Sequence, residues 1–424
     1  MSKLSFKFIG NACGIFVGSR GTRVLCDPWL VNGVFEGSWC HYPPLKTRPE
    51  DVLDVDAVYV SHLHPDHFDE RHFSFARDKK LIVLDHGQNF LLRKLQLMGY
   101  TNVDAVKSGE STRVGEITVT LYAPFVAHPF HDAEIGNLID SAAVFECEGV
   151  TALNTNDNTP SLETCDDLTA RHGRFDLVML NYNAAGPYPS CFDNLTHDQK
   201  IAEHARVLGR NIAHMRRVSL KLSPRAVLPF AGAYVLGGDL WRKNLYLGTT
   251  TWDTCKRELI SLGMDDIAVP LMQEGQTLDI ETMRLDSKYV PLDEAAMDRY
   301  IAGVLSKMRY PHQDDPDPDL DQLRADLYIA STRMRQRMSR LGIKTSFAVG
   351  IVVGGQVVQV HPTFDSRMSG ERRLVCQMDL RLLRRILDRA SHWNNAEIGA
   401  HIDFVRDPNE YEPDLHTALQ FLHL

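Results

Sequence analysis

Ser61-His62-Leu63-His64-Pro65-Asp66-His67-Phe68-Asp69 is the stretch from which this 424-residue chain is best read. Four side chains able to ligate a metal, His62, His64, Asp66 and His67, fall within six positions. The run Asp56-Ala57-Val58-Tyr59-Val60-Ser61 before them is β-like, so they stand where a strand gives way to a loop. A strand end presents side chains at the rim of a sheet, where a rigid scaffold can hold a metal. One loop histidine would be an ordinary solvated residue. Three imidazoles and a carboxylate in the alternation His-x-His-x-Asp-His point instead to a metal centre. That donor set suits zinc, iron or manganese, and spacing does not choose among them.

Upstream, residues 4–10 alternate as a half-buried strand, and residues 14–18 and 23–26 read as the next two. Asp27-Pro28 ends that hairpin, because proline cannot continue a ladder; Asp27 is expected to brace the site by hydrogen bonds. Residues 31–50 form a long aromatic loop, either functional or packed on the surface.

Downstream, residues 81–85 and 117–123 are expected as strands and 89–98 as a helix. A loop carrying His128-Pro129-Phe130-His131 follows, then strands over 141–148 and 151–153. Asn154-Thr155-Asn156-Asp157-Asn158 is a second polar cluster at a strand end, where every neighbour of Asp157 can orient it. A third rim follows the strand 175–180, with Asn181, Tyr182 and Asn183 either binding substrate or capping the strand. Residues 195–218 read as a long helix with a basic, solvated side; His197, His204 and His214 on it are taken as solvated.

Length and composition bound the rest. At 424 residues two domains are expected: 1–310, catalytic, and 320–424, α+β, joined by the acidic, proline-rich linker 311–319. The second domain offers no ligand cluster and is expected to cover the active-site mouth or build a homo-oligomer. A net charge of −9 argues against a nucleic-acid surface. No apolar run is long enough for a membrane span, and the N-terminus lacks a secretory pattern. Eight scattered cysteines without Cys-x-x-Cys read as reduced thiols, so a cytoplasmic location is expected.

His62-x-His64-x-Asp66-His67 resembles the defining motif of the metallo-β-lactamase superfamily. The implied fold is α/β: an αββα sandwich, here with a C-terminal α+β extension. Asp27-Pro28-Trp29-Leu30, Tyr59-Val60-Ser61-His62-Leu63-His64, Leu153-Asn154-Thr155-x-Asp157-x-Thr159 and Pro229-Phe230-Ala231-Gly232 resemble the CMP-N-acetylneuraminate hydroxylase family. Glu397-Ile398-Gly399 and Arg406-Asp407-Pro408 extend that resemblance to the C-terminal part. It implies two transition-metal ions, iron favoured, zinc or manganese as alternatives. One would take His62, His64 and His128; the other Asp66 and His67, with Asp157 bridging. His131 competes with His128 and otherwise lines the pocket as a substrate residue. Asp66 and Asp157 are the implied catalytic carboxylates.

The chain departs from the family in two ways. It opens on lactamase-like strands, with no cysteine and histidine pattern for a Rieske cluster, so either a ferredoxin or reductase brings the electrons or the reaction uses the substrate's own. The stretch 228–232 has no histidine where superfamily hydrolases usually supply one. The resemblance therefore implies an oxygenase that uses O2 to hydroxylate or oxidise a polar metabolite, such as an amino-sugar or nucleotide-linked compound. The alternative is a zinc or manganese hydrolase of a phosphodiester, amide or lactone. A catalytically silent binding protein is the third reading, disfavoured by the full ligand set.

Overall fold

The computed structural model describes residues 2–86, 90–125, 140–361 and 372–424. Two large sheets face each other. The first holds, in spatial order, Arg284–Leu285, Thr277–Asp279, Leu4–Gly10, Cys13–Gly18, Arg23–Cys26, Ala57–Tyr59, Lys80–Asp85 and Val103–Lys107. The second runs Ala226–Pro229, Leu177–Leu180, Val150–Asn154, Ala142–Cys147, Ile117–Tyr122 and Ser111–Val114.

Alternation along each strand sorts side chains between layers. Phe16 enters the space between the sheets, while Ile15 turns to the outer face. Leu177 and Met179 face inward; Val178 and Leu180 face outward. Phe16 stacks on Phe145 across the gap, ring centroids 4.0 Å apart. The helix Phe90–Leu97 covers the first sheet's outer face through Leu91 and Leu95. Helices Leu162–His172, His197–Leu222 and Trp252–Ser261 cover the second. This is the expected αββα sandwich. The long helix runs past its expected end at residue 218 until Ser223 turns left-handed, φ 46°, and caps it. His204 on it is half-buried, its Nδ1 bonded to the Leu247 carbonyl, so it is not the solvated residue the pattern suggested.

Ala57–Tyr59 runs parallel to both its neighbours, and so does Leu177–Leu180. In such sheets the carboxyl ends of the strands form the crevice where ligands bind. Residues 61, 157, 181 and 231 all follow such ends. Among the described residues no helix is long and apolar enough to cross a membrane.

The C-terminal part builds a four-stranded sheet, Gln356–His361, Ala348–Val353, Arg373–Gln377 and Asp403–Asp407, under the helices Leu320–Leu341 and Leu380–Leu387. Its core is not its own. Trp29, Val34, Phe35, Trp39, Phe192 and Tyr234 from the lactamase-like part belong to the same apolar cluster. The loop 35–39 is stitched to it by Ser38 Oγ to the Gly399 carbonyl (2.7 Å), Trp39 Nε1 to the Ile398 carbonyl (3.2 Å) and Ser391 Oγ to Glu36 (2.7 Å). A Cβ on Gly399 would stand 2.6 Å from the Phe35 carbonyl oxygen, so only glycine allows this approach. The edge strand Asp403–Asp407 is covered by Phe192, which bridges to Phe404. Within residues 311–319, Asp315 pairs with Arg385 and Asp317 lies 3.9 Å from Arg381.

Candidate metal centre

The strand Ala57–Tyr59 delivers Ser61 and His62 to the rim, and Asp27 arrives beside them from Arg23–Cys26. Asp27 is wholly buried with φ 40°, a conformation aspartate tolerates better than most residues. Its carboxylate accepts from Ser61 N (2.7 Å) and Ser61 Oγ (2.8 Å), and it holds His67 Nδ1 at 2.9 Å. That is the bracing role expected of it. Asn11, Asn156 and Ala231, which flank the same rim, are left-handed too. Strain of this kind, about 1–3 kcal/mol per residue, gathers at functional sites.

The histidine rings turn their other nitrogens inward. His62 Nε2 and His64 Nδ1 face one another at 2.8 Å. With an Asp157 oxygen they form a group whose ligand atoms lie within 4.8 Å of one another. On the other side of Asp157, its Oδ2 is 3.5 Å from His67 Nε2, which is also 3.4 Å from Asp66 Oδ2. His62 Nε2 is 3.9 Å from that same Asp157 oxygen. His62, His64 and Asp157 thus form a metal-capable group, and Asp157 Oδ2 lies within 3.9 Å of both His62 Nε2 and His67 Nε2. His128 and His131, the candidates for a further ligand and a pocket residue, lie outside the described residues.

Every one of these side chains is oriented from behind. His62 Nδ1 has Ser61 Oγ at 2.9 Å and Asp140 Oδ1 at 3.3 Å. Asn11 Nδ2 donates to Asp66 Oδ2 (3.1 Å) and Asn181 Nδ2 to Asp157 Oδ1 (3.0 Å). His64 Nε2 lies 2.9 Å from Asn394 Oδ1, in the helix Trp393–Ile398 of the C-terminal part. An amide oxygen can only accept, so His64 carries its proton on Nε2 and leaves the Nδ1 lone pair facing the centre. Such outer partners fix tautomer and orientation in metal sites.

Burial opposes charge on the imidazoles, yet Asp66, Asp27 and Asp157 outweigh it at His67 and hold that ring's pKa well above the usual range. At His64, burial and the neighbouring His62 lower it to about 4. Burial would raise Asp66 and Asp157, but His67 keeps both carboxyls below their ordinary range. His67 Nε2 is buried without a hydrogen-bond partner among the described residues. A cation satisfies that nitrogen and the clustered carboxylates together, so the donor set fits a metal.

The third rim needs correcting. Tyr182 is only 1% exposed and packs among Val178, Leu180, Met215 and Trp252, away from the centre. Its phenol cannot meet a substrate there. Asn183 is also committed: its amide donates to the Gly232 and Thr250 carbonyls and accepts from Thr250 N. Asn181 alone of the three touches the centre. Asn11, Asp140 and Asn394 were not singled out from sequence. Asn11 carried one usable signal, an asparagine between two strands, where left-handed backbone is common.

Residues 22–209 match the family model described as the beta-lactamase superfamily domain. The chain thus carries a metallo-β-lactamase-fold domain whose strand rim holds a metal-capable His-His-Asp group. A protein of Mycolicibacterium smegmatis, provisionally named Rieske 2Fe-2S iron-sulfur protein, is 34% identical over 231 residues, covering 53% of this chain and 42% of that one. The chain thus spans less than half the length of that curated relative. The cytidine monophosphate-N-acetylneuraminic acid hydroxylase of Pan troglodytes is 23% identical over 454 aligned positions, covering 96% of this chain and 70% of the hydroxylase. Among solved structures, the diiron β-hydroxylase CmlA of Streptomyces venezuelae shares 18% identity at a TM-score of 0.45, covering 66% of this chain and 54% of that one. Similarity that low says nothing about chemistry.

Proposed function

We propose that this chain is a di-iron oxygenase acting on a polar small molecule. The observation that carries the reading is the rim at residues 230–233. Superfamily hydrolases usually supply a further histidine there, and this chain has none. Instead Asn11 Oδ1 accepts from Gly232 N (2.6 Å) and Ala233 N (3.0 Å), while its Nδ2 holds Asp66. Among the described residues the set around His67 has two carboxylates to one imidazole, a hard, oxygen-rich set that suits iron or manganese. The near full-length likeness to a hydroxylase supports iron.

Two iron ions held here would supply the reduction of dioxygen, and zinc or manganese would supply activation of water. The protein's own share is positioning. Asp27, Asp140 and Asn394 hold the three rings, and Asn11 and Asn181 hold the two carboxylates. The Asp157 side chain, 29% exposed, is the most open of these groups, which supports reading it as the carboxylate that exchanges a proton with the substrate side. Inserting one oxygen atom into a C–H bond and releasing the other as water takes two electrons and two protons. An external ferredoxin or reductase brings the electrons in this reading, in keeping with the Rieske name of the mycobacterial relative.

Protein purified without added metal should contain about two iron atoms per chain. Loading ferrous iron anaerobically and then admitting oxygen should consume oxygen and change the optical spectrum. If iron produces neither response while zinc or manganese supports turnover without oxygen, the hydrolase reading replaces this one.

A further inference from the structure

Behind the His62–His67 loop, on the side away from the metal centre, lies a cavity of about 940 Å³. Leu63 and Pro65 line it, whereas His62, His64 and Asp66, which alternate with them, turn the other way. The opposite wall comes from the C-terminal part: the helix Leu320–Leu341, the turn after Leu380–Leu387, and residues 420–423. None of the five described candidate ligands borders it. The volume suits a small organic ligand.

Its charge is unusual for a chain of net −9. Six lysine and arginine side chains line it against three acidic ones, Glu36, Asp69 and Glu70. Those acids are already engaged: Arg71 takes Asp69, Lys94 takes Glu70 at 2.6 Å, and Ser391 holds Glu36. Arg385 goes to Asp315 outside the cavity. Arg333 and Arg389 pair with no carboxylate among the described residues, and Arg389 donates only to the His423 ring, at 3.0 Å. Arg333 is also one helical turn from Arg337 on the helix Leu320–Leu341, an arrangement that repels, while Arg389 sits in the left-handed turn (φ 62°) just past the helix that carries Arg385. Gathering like charges in a concavity is unfavourable unless an anion neutralises them. Two guanidinium forks match the several oxygens of a phosphate, whereas one fork already satisfies a carboxylate. Phe90 and Phe421 supply apolar wall beside them.

We propose that this cavity is a second ligand site, one that takes a phosphorylated small molecule, its phosphate on Arg333 and Arg389 and its apolar part against Phe90 and Phe421. The site stands apart from the metal chemistry and does not depend on which metal is bound. Its floor and the centre share a wall, because Trp393 and Asn395 line the cavity while Asn394 between them holds His64.

The test is calorimetric titration of the full chain with phenyl phosphate, and with benzoate for comparison, at fixed ionic strength. Phenyl phosphate should saturate one site, at least tenfold tighter than benzoate. Arg333→Glu and Arg389→Glu should each weaken it tenfold or more, while Arg242→Glu, outside the cavity, leaves it unchanged. Thermal unfolding checks that the variants fold; should charge reversal prevent that, Arg333→Gln and Arg389→Gln should still weaken binding at least threefold. Binding should survive chelation of the metal. The proposal is overturned by absent saturation, by benzoate binding as tightly, or by binding that ignores the arginines and disappears with the metal.

Discussion

Phe16 and Phe145 stack between two sheets that both belong to the lactamase-like part, whereas Trp39 and Tyr234 stack where a loop of that part enters the C-terminal core. The first core is closed: its members all come from residues 4–285. The second is open, completed by Trp29, Val34, Phe35 and Trp39 from outside residues 320–424. The C-terminal part is therefore not a sphere tied on by a linker. It uses the aromatic loop as its own missing wall, and in return it holds His64 through Asn394.

The strongest way to break this contrast is Trp39→Ala. The ring is 1% exposed, lies 3.4 Å from Tyr234 at an interplanar angle of 4°, and bonds the Ile398 carbonyl. Its removal should cost about 3–5 kcal/mol, because the surroundings can only partly collapse into so large a void. Amide hydrogen exchange should quicken in Ala348–Val353 and Asp403–Asp407 while Ala142–Cys147 keeps its protection. Equal loss of protection in both sheets would mean that the two cores melt as one unit.

A smaller effect should come from the single contact that joins the regions chemically. Asn394→Ala leaves His64 Nε2 without its acceptor and the ring free to turn. Losses from such orienting partners run about 10–100-fold in metal affinity. Competition against a chelator reads the affinity, and circular dichroism checks the fold. Asn394→Asp, which keeps an oxygen at the same place, should recover most of the loss. Unchanged affinity in the alanine variant would reduce the C-terminal part to packing alone.

How far these features could be read from sequence follows the same division. The His62–His67 ligands are close in the chain and follow a β-like run, so local pattern suffices. Asp157 was legible from a polar cluster at a strand end. Asn394 was not: it meets His64 across 330 residues, and nothing about an asparagine on a short helix marks it. Asn11 meets Asp66 across 55 residues in the same way. The misplacement of Tyr182 was avoidable in principle. Extending the two-residue alternation past Val178 and Leu180 places it on their face, against the outer helices. The role of the aromatic loop is not legible locally, because its partner core lies beyond residue 320 and composition cannot say which wall a tryptophan will complete.

Both regions also close a surface turn with one glutamate, and this gives the smallest test. Glu412 accepts from Ser346 N (3.1 Å) and Ser346 Oγ (3.2 Å) in the C-terminal part. Glu116 accepts from Thr22 Oγ1 (2.5 Å) and Arg20 N (2.8 Å), tying the edge of one large sheet to the other. Burial at Glu116 would favour the neutral acid, but these donors outweigh it and hold the carboxyl down to about 2. A carboxyl depressed by folding adds stability above its unfolded pKa, about 4.3, and loses that contribution as pH falls toward its folded value. The clamp sits at the solvent edge, so screening limits it to about 1 kcal/mol. Urea unfolding of the wild type and Glu116→Gln should therefore differ by about that amount at pH 6. The gap should narrow through pH 4 and nearly close by about pH 2. A gap that stays constant with pH would assign the stabilisation to the shape of the side chain, and the link between the sheets would then be steric, like the aromatic contact at Trp39.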